Sequence, residues 1–283
     1  MASIHDFRTW KKEGRAIPCL TAYDAPTARL LAEAGIPLLL VGDSVGNTVL
    51  GYRDTVPVTM DEMLHHARAV RRGAPDTFVV VDMPFLSYQV SDEEAVANAG
   101  RILKESGADA VKIEGGRPRV PTVERLVSAG IPVMGHLGLT PQSATLLGGF
   151  KVQGKNAKSA EALIEEAKAL EEAGVFALVL ECVPAEVAVE VTRALKIPTI
   201  GIGAGAGCDG QILVVNDLLG MEGGYRARFV RRYASLDEII TAAVVRYSED
   251  VRDRRFPNDE ESFHLSDKQR DEFERKRGRP ETA

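Results

Sequence analysis

Asp109-Ala110-Val111-Lys112-Ile113-Glu114-Gly115-Gly116 reads as a buried strand that carries two opposite charges. Side chains alternate along a strand, so Lys112 and Glu114 share one face while Val111 and Ile113 share the other. One face is apolar and the other ionic. A single stretch of this kind would also suit a half-exposed edge strand. Its design recurs, however, as a short apolar run, one polar or acidic residue, then glycine, proline or serine. Pro37-Leu38-Leu39-Leu40-Val41-Gly42-Asp43-Ser44 and Phe78-Val79-Val80-Val81-Asp82-Met83-Pro84 repeat it, with Ile131 to His136 and Val175 to Glu181 as further variants. Apolar runs this continuous suit parallel strands covered on both faces.

Helical signals separate these runs. Asp24 is placed to cap a helix that stops at Gly35, and Thr59-Met60-Asp61-Glu62 and Ser91-Asp92-Glu93-Glu94 have the spacing of capping boxes. Phrases such as Ala129-Gly130-Ile131-Pro132 mark where helices hand over to strands. With Ile17 to Ala22 as the first strand, Ile197 to Gly203 as the seventh and Ile212 to Asn216 as the eighth, the pattern predicts a single (β/α)8 TIM-type barrel. An open doubly wound sheet is the alternative. Residues 3–13 form a short amphipathic cover helix carrying Trp10, and the catalytic domain is expected over 1–264. A charge-dense C-terminal tail over 265–283 is expected to be exposed, disordered or packed on a neighbouring subunit, with a helix near Asp267 to Lys276.

With 283 residues and 45% hydrophobic content, one large core is comfortable. A formal charge of -6 argues against nucleic acid or an anionic membrane as a partner and favours small-molecule chemistry. No apolar run approaches the ~20 residues of a membrane helix, and no secretory leader is expected at the N-terminus. Cys19, Cys182 and Cys208 are few and widely spaced, which fits a reducing cytoplasm rather than a disulfide framework or zinc site.

In a barrel, active-site side chains come from the C-terminal strand ends and the loops after them. Those positions hold Asp43, Ser44, Asp82, Lys112, Glu114, His136 and Glu181. Three carboxylates, Asp43, Asp82 and Glu114, against the one ammonium of Lys112 leave a net -2 in a poorly solvated mouth, which a divalent cation would balance. Oxygen ligands without a cysteine or multi-histidine cluster favour magnesium or manganese. Taken singly, each acid could instead cap a helix or pair with an arginine. Glu181 ends an apolar strand, a setting suited to a general base. Ser44 matches no nucleophile elbow, and its hydroxyl suits a substrate carboxylate. His65 and His66 fall inside a helix and suit packing. The run Gly201 to Gly207 either cradles a phosphate or allows close backbone approach, and Cys182 reads as an inert thiol.

The sequence resembles the ketopantoate hydroxymethyltransferase family. The resemblance runs through Thr21-Ala22-Tyr23-Asp24, Val41-Gly42-Asp43-Ser44, Val111-Lys112-Ile113-Glu114-Gly115, Gly135-His136-Leu137-Gly138-Leu139-Thr140-Pro141-Gln142, Leu180-Glu181-Cys182-Val183-Pro184 and Asp209-Gly210-Gln211-Ile212-Leu213-Val214. It covers nearly everything to about residue 264. It implies a magnesium-dependent barrel enzyme of pantothenate, and hence coenzyme A, biosynthesis. The one-carbon unit of 5,10-methylenetetrahydrofolate would pass to 3-methyl-2-oxobutanoate, giving 2-dehydropantoate. By motif match, Asp43, Asp82 and Glu114 take the metal positions, and Asp43, Ser44, Asp82 and Lys112 contact the keto acid. Glu181 takes the place of the proton acceptor, and His136 lies near the substrate. The resemblance also implies a cytoplasmic homo-oligomer, a decamer by analogy. A magnesium-dependent 2-oxo acid lyase or mutase is the enzymatic rival, although its lysine-lysine-cysteine-glycine-histidine motif is missing. A catalytically silent keto-acid-binding barrel is the rival of another class.

Overall fold

The computed structural model describes residues 2–146, 148–149, 151–221 and 227–278. Of the tail read as 265–283, residues 279–283 lie outside the described residues. The chain divides into two compact units, Met1–Ala234 and Ser235–Ala283.

In the first unit α1 (Ile4–Glu13) precedes β1 (Ile17–Thr21), α2 (Ala25–Glu33) and β2 (Leu38–Val41). Then come α3 (Val45–Thr48), α4 (Met60–Gly73), β3 (Phe78–Asp82), α5 (Asp92–Ser106), β4 (Ala110–Glu114), α6 (Val120–Ser128) and β5 (Val133–Gly138). The unit continues with α7 (Ala157–Ala173), β6 (Ala177–Glu181), α8 (Ala185–Ala194), β7 (Thr199–Ile202), β8 (Gly210–Leu213) and α9 (Val215–Leu219). The strands pair in sequence order and the sheet closes when β1 meets β8 in parallel, Ile17 opposite Gly210. The closed barrel is therefore the architecture, and the open sheet is excluded.

Local chemistry sets the helix starts. Asp24 accepts from the Thr27 amide, and Thr59 and Glu62 form the reciprocal capping box. At Ser91 only half of the expected box forms: its hydroxyl accepts from the Glu94 amide, without the return bond. Two apolar layers result. One lies between strands and helices, including Leu39, Val41, Val79, Val81 and Val111; the other fills the barrel, including Leu38, Leu40, Phe78, Val80, Met134 and Val179.

The N-terminal end of the barrel is closed by α1. Phe7 is buried there, its ring edge-on to Phe78 at 5.2 Å and to Trp10 at 5.3 Å, and stacked with Phe176 at 6.4 Å. Lys11 fastens the helix to the barrel by bonding the Thr192 carbonyl at 2.9 Å and Asp209 at 2.8 Å.

Two details differ from the sequence pattern. No helix separates β7 from β8, which are joined by 203–209 alone. The eighth strand ends at Leu213 rather than Asn216, because the Val215 amide turns to donate to Thr21 Oγ1 at 3.0 Å and α9 begins. The second unit holds α10 (Leu236–Arg252), which the pattern did not foresee, and α11 (Asp267–Lys276), which it did. Among the described residues no helix is long and apolar enough to cross a membrane.

Candidate active site

The interior face of each strand changes character towards its C-terminal end. Phe78 and Val80 lead to Asp82, Ala110 to Lys112 and Glu114, Met134 to His136, and Ala177 and Val179 to Glu181; the apolar members belong to the barrel interior. Strand register sets Asp82 beside Lys112 and Glu114 beside His136. Asp43 and Ser44 follow β2 in the turn into α3. The barrel thus brings all seven of these positions to its C-terminal end.

Lys112 is the hub. Its Nζ lies 3.1 Å from Asp82 Oδ1, 3.9 Å from Glu114 Oε1 and 3.1 Å from His136 Nδ1. Asp82 Oδ2 accepts from the Asp43 amide at 3.0 Å. Asp43, Asp82, Lys112, Glu114 and His136 are all buried, while the Glu181 side chain keeps 16% exposure. Ser44 Oγ is 2.8 Å from the Tyr23 hydroxyl.

Burial, then the charges of Asp82 and Glu114, push the Asp43 carboxyl well above its ordinary range. Burial also raises Asp82, against the opposing charge of Lys112. Burial pulls Lys112 down, but the surrounding carboxylates outweigh it and hold the ammonium charged. Glu114 is depressed because its bonding with His136, the Lys112 charge and the Gln142 amide overcome desolvation.

His136 is held between two forms. The neutral ring accepts from Lys112 at Nδ1, whereas the charged ring faces Glu114 Oε1 and Glu181 Oε2, each at 3.3 Å. Burial and Lys112 favour the first; the two carboxylates favour the second and lift the imidazole to about 9. Nε2 stands 3.3 Å from Glu181 Oε2 without a hydrogen bond, an ion-pair approach when the ring is charged.

Asp82 Oδ1 is buried, and what faces it is the Lys112 ammonium at 3.1 Å. Two buried carboxylates with unsatisfied charge fit a magnesium-type ion, which takes one or two protein carboxylates and completes its shell with water and substrate. Among the described residues, no three His, Cys, Asp or Glu side chains stand ready as a closed metal cage. Both Glu114 oxygens already have partners, Oε2 accepting from the Gln142 amide at 3.1 Å and Oε1 facing His136.

Sequence reasoning passed over three residues. Tyr23 positions Ser44, and Tyr88 and Gln142 bond within the carboxylate cluster. Tyr23 and Gln142 sit inside motif stretches, but neither residue type by itself signals such a role. His66 packs, its Nδ1 2.7 Å from the Tyr23 carbonyl. The glycine run after β7 is tight: a Cβ at Gly205 would meet Ala185 Cβ at 2.5 Å, and one at Gly207 would meet Val189 at 2.3 Å. Cys182 follows Glu181 with φ 49, a strained left-handed turn, and burial pushes its thiol up to about 11.

The family model described as ketopantoate hydroxymethyltransferase matches residues 1–259. A 3-methyl-2-oxobutanoate hydroxymethyltransferase of Moorella thermoacetica is 57% identical over 261 residues, 92% of this chain and 97% of that relative. One from Syntrophus aciditrophicus is 58% identical over 256 residues, covering 90% and 94%. Among solved structures, 2,3-dimethylmalate lyase, a PEP mutase/isocitrate lyase superfamily member, superposes with TM-score 0.58 at 16% identity, covering 97% of this chain and 100% of that one. The phosphoenolpyruvate phosphomutase of Streptomyces platensis gives 0.59 at 16% identity, covering 98% and 99%. These two likenesses concern the fold.

Proposed function

The chain belongs to the ketopantoate hydroxymethyltransferase family, and from that membership we propose a division of labour among its buried side chains. The enzyme transfers a hydroxymethyl unit to 3-methyl-2-oxobutanoate in pantothenate biosynthesis, with a folate as cosubstrate. The donor in our reading is 5,10-methylenetetrahydrofolate and the metal Mg2+. The catalytic portion is 1–264, and the protein works as a cytoplasmic homo-oligomer, a decamer by family analogy.

Asp43 and Asp82 would hold the cation, with Glu114 beside them, its oxygens already engaged by Gln142 and His136. A divalent ion held there would supply positive charge beside the 2-oxo acid, where negative charge grows as the C3 proton leaves. Ser44, held by Tyr23, receives the substrate carboxylate, and the Lys112 charge steadies the 2-oxo acid end. Glu181 takes the C3 proton. His136 aims the Glu181 carboxylate through Nε2 and leaves it partly exposed to the mouth. The resulting carbanion equivalent forms the new C–C bond to the one-carbon unit, the C–N bonds to the folate break, water supplies the hydroxyl oxygen, and tetrahydrofolate leaves with its nitrogens protonated.

The observation that carries this reading is the convergence of Asp43, Asp82, Lys112 and Glu114 in one buried cluster within ion-pair and hydrogen-bond reach of His136 and Glu181. The test is proton NMR of 3-methyl-2-oxobutanoate in heavy water with protein and Mg2+. Loss of the C3 proton signal, arrested by a chelator, is expected, and methylenetetrahydrofolate should then yield 2-dehydropantoate. Product formation that persists under chelation would remove the metal from the scheme.

A further inference from the structure

Gln142 lies in a single 3-10 turn, Pro141–Ser143, just beyond β5, and its side chain is buried with every polar atom engaged. Nε2 donates to Asp43 Oδ2 and to the Met83 carbonyl, each at 2.9 Å. Oε1 accepts from the Tyr88 hydroxyl at 2.7 Å and from Gln89 Nε2 at 3.3 Å. Its backbone amide donates to Glu114 Oε2 at 3.1 Å. Tyr88 is fixed in turn, its oxygen accepting from the Glu114 amide at 3.1 Å.

This pattern permits one orientation of the amide. A flip would set Oε1 against the Met83 carbonyl, which can only accept, and Nε2 against the Gln89 side-chain amide nitrogen, which can only donate. One residue therefore touches two of the three carboxylates, one by side chain and one by backbone. The tether takes up Asp43 Oδ2 and turns Oδ1 to the other side of the carboxylate.

We propose that Gln142, locked by Tyr88, is a positioning residue for the divalent-cation site: it fixes the Asp43 carboxylate so that Oδ1 is the oxygen offered to the ion. The proposal rests on the cation reading above. A hydrogen-bonding partner behind a ligating carboxylate is worth about 10–100-fold in metal affinity. Gln142 does not touch substrate in this scheme; it acts through Asp43 and Glu114.

The test is Mn2+ binding to the full-length, metal-stripped chain without substrates, read as free Mn2+ by electron paramagnetic resonance. Wild type, Asp82→Ala, Gln142→Leu and Tyr88→Phe are compared. Wild type is expected to bind and Asp82→Ala not to; equal binding by both would sink the cation reading itself. Given that difference, Gln142→Leu is expected to bind about 10–100-fold more weakly and to regain most of its kcat at saturating Mn2+. A merely structural residue would lower kcat without raising the metal requirement. Should Gln142→Leu fail to fold, Tyr88→Phe, which keeps the amide but releases Oε1, is expected to weaken binding severalfold. Wild-type Mn2+ affinity in the folded variants would overturn the proposal.

Discussion

The base role proposed for Glu181 follows from what surrounds it. The carboxylate stands at the end of an apolar strand, keeps a path to the mouth, and is faced at 3.3 Å by His136 Nε2, which sets a positive charge beside it when the ring is protonated. A general base held this way contributes about 10²–10⁴-fold to turnover. Glu181→Gln is therefore expected to keep keto-acid binding, measured by calorimetry, while kcat and C3 proton exchange fall together by that factor. Exchange at the wild-type rate would assign the base elsewhere. His136 was the residue whose role sequence left open, and the reason is geometric. Its two ring nitrogens serve opposite sides of the site, and only coordinates show which side each one meets.

At the scale of elements, the junction between β5 and β6 matters most. Gly138 ends β5 with φ 93, and a Cβ there would meet the Glu181 carbonyl oxygen at 2.2 Å, the same oxygen that accepts from the Leu139 amide at 2.8 Å. Gly138→Ala must push the strand carrying the base. Displacements of about 1 Å at a reacting group cost on the order of 10²-fold. The variant is expected to lose about that much kcat, with steady-state kinetics as the check; unchanged kcat would show that the neighbouring strand yields without moving Glu181. Much of this scale was legible in the chain. Alternation alone put Lys112 and Glu114 on one face, and the same alternation set Asp82, His136 and Glu181 inward. The boundary of β8 and the missing helix after β7 were not legible, because both depend on distant partners: Thr21 redirects Val215, while Ala185 and Val189 crowd the glycine loop. Gln142 was hidden for a similar reason. Its importance comes from five neighbours on other segments, not from its type.

For the molecule as a whole, the site is a source of instability that the rest of the barrel must offset. The Asp43 carboxyl is raised well above its ordinary value, so the folded state favours its protonated form. Its contribution to stability is complete below about pH 4 and is lost as pH rises through the elevated folded value. At pH 7 in EDTA burying this carboxyl is thus a net cost, whether the folded chain ionises it or takes up a proton there. Asp43→Asn is expected to raise Tm by a few degrees under those conditions while abolishing turnover, as measured by thermal unfolding and product assay. A lower Tm would mean that the hydrogen bond from Gln142 outweighs the relief of like charge. At the opposite end of the barrel, Phe7 and its ring of Phe78, Phe176 and Trp10 seal the floor. With that floor packed and the barrel interior filled above it, small molecules are expected to meet the charged cluster from the C-terminal side, where Glu181 keeps its exposure, so a phenylalanine far from any reacting atom helps decide the direction of approach.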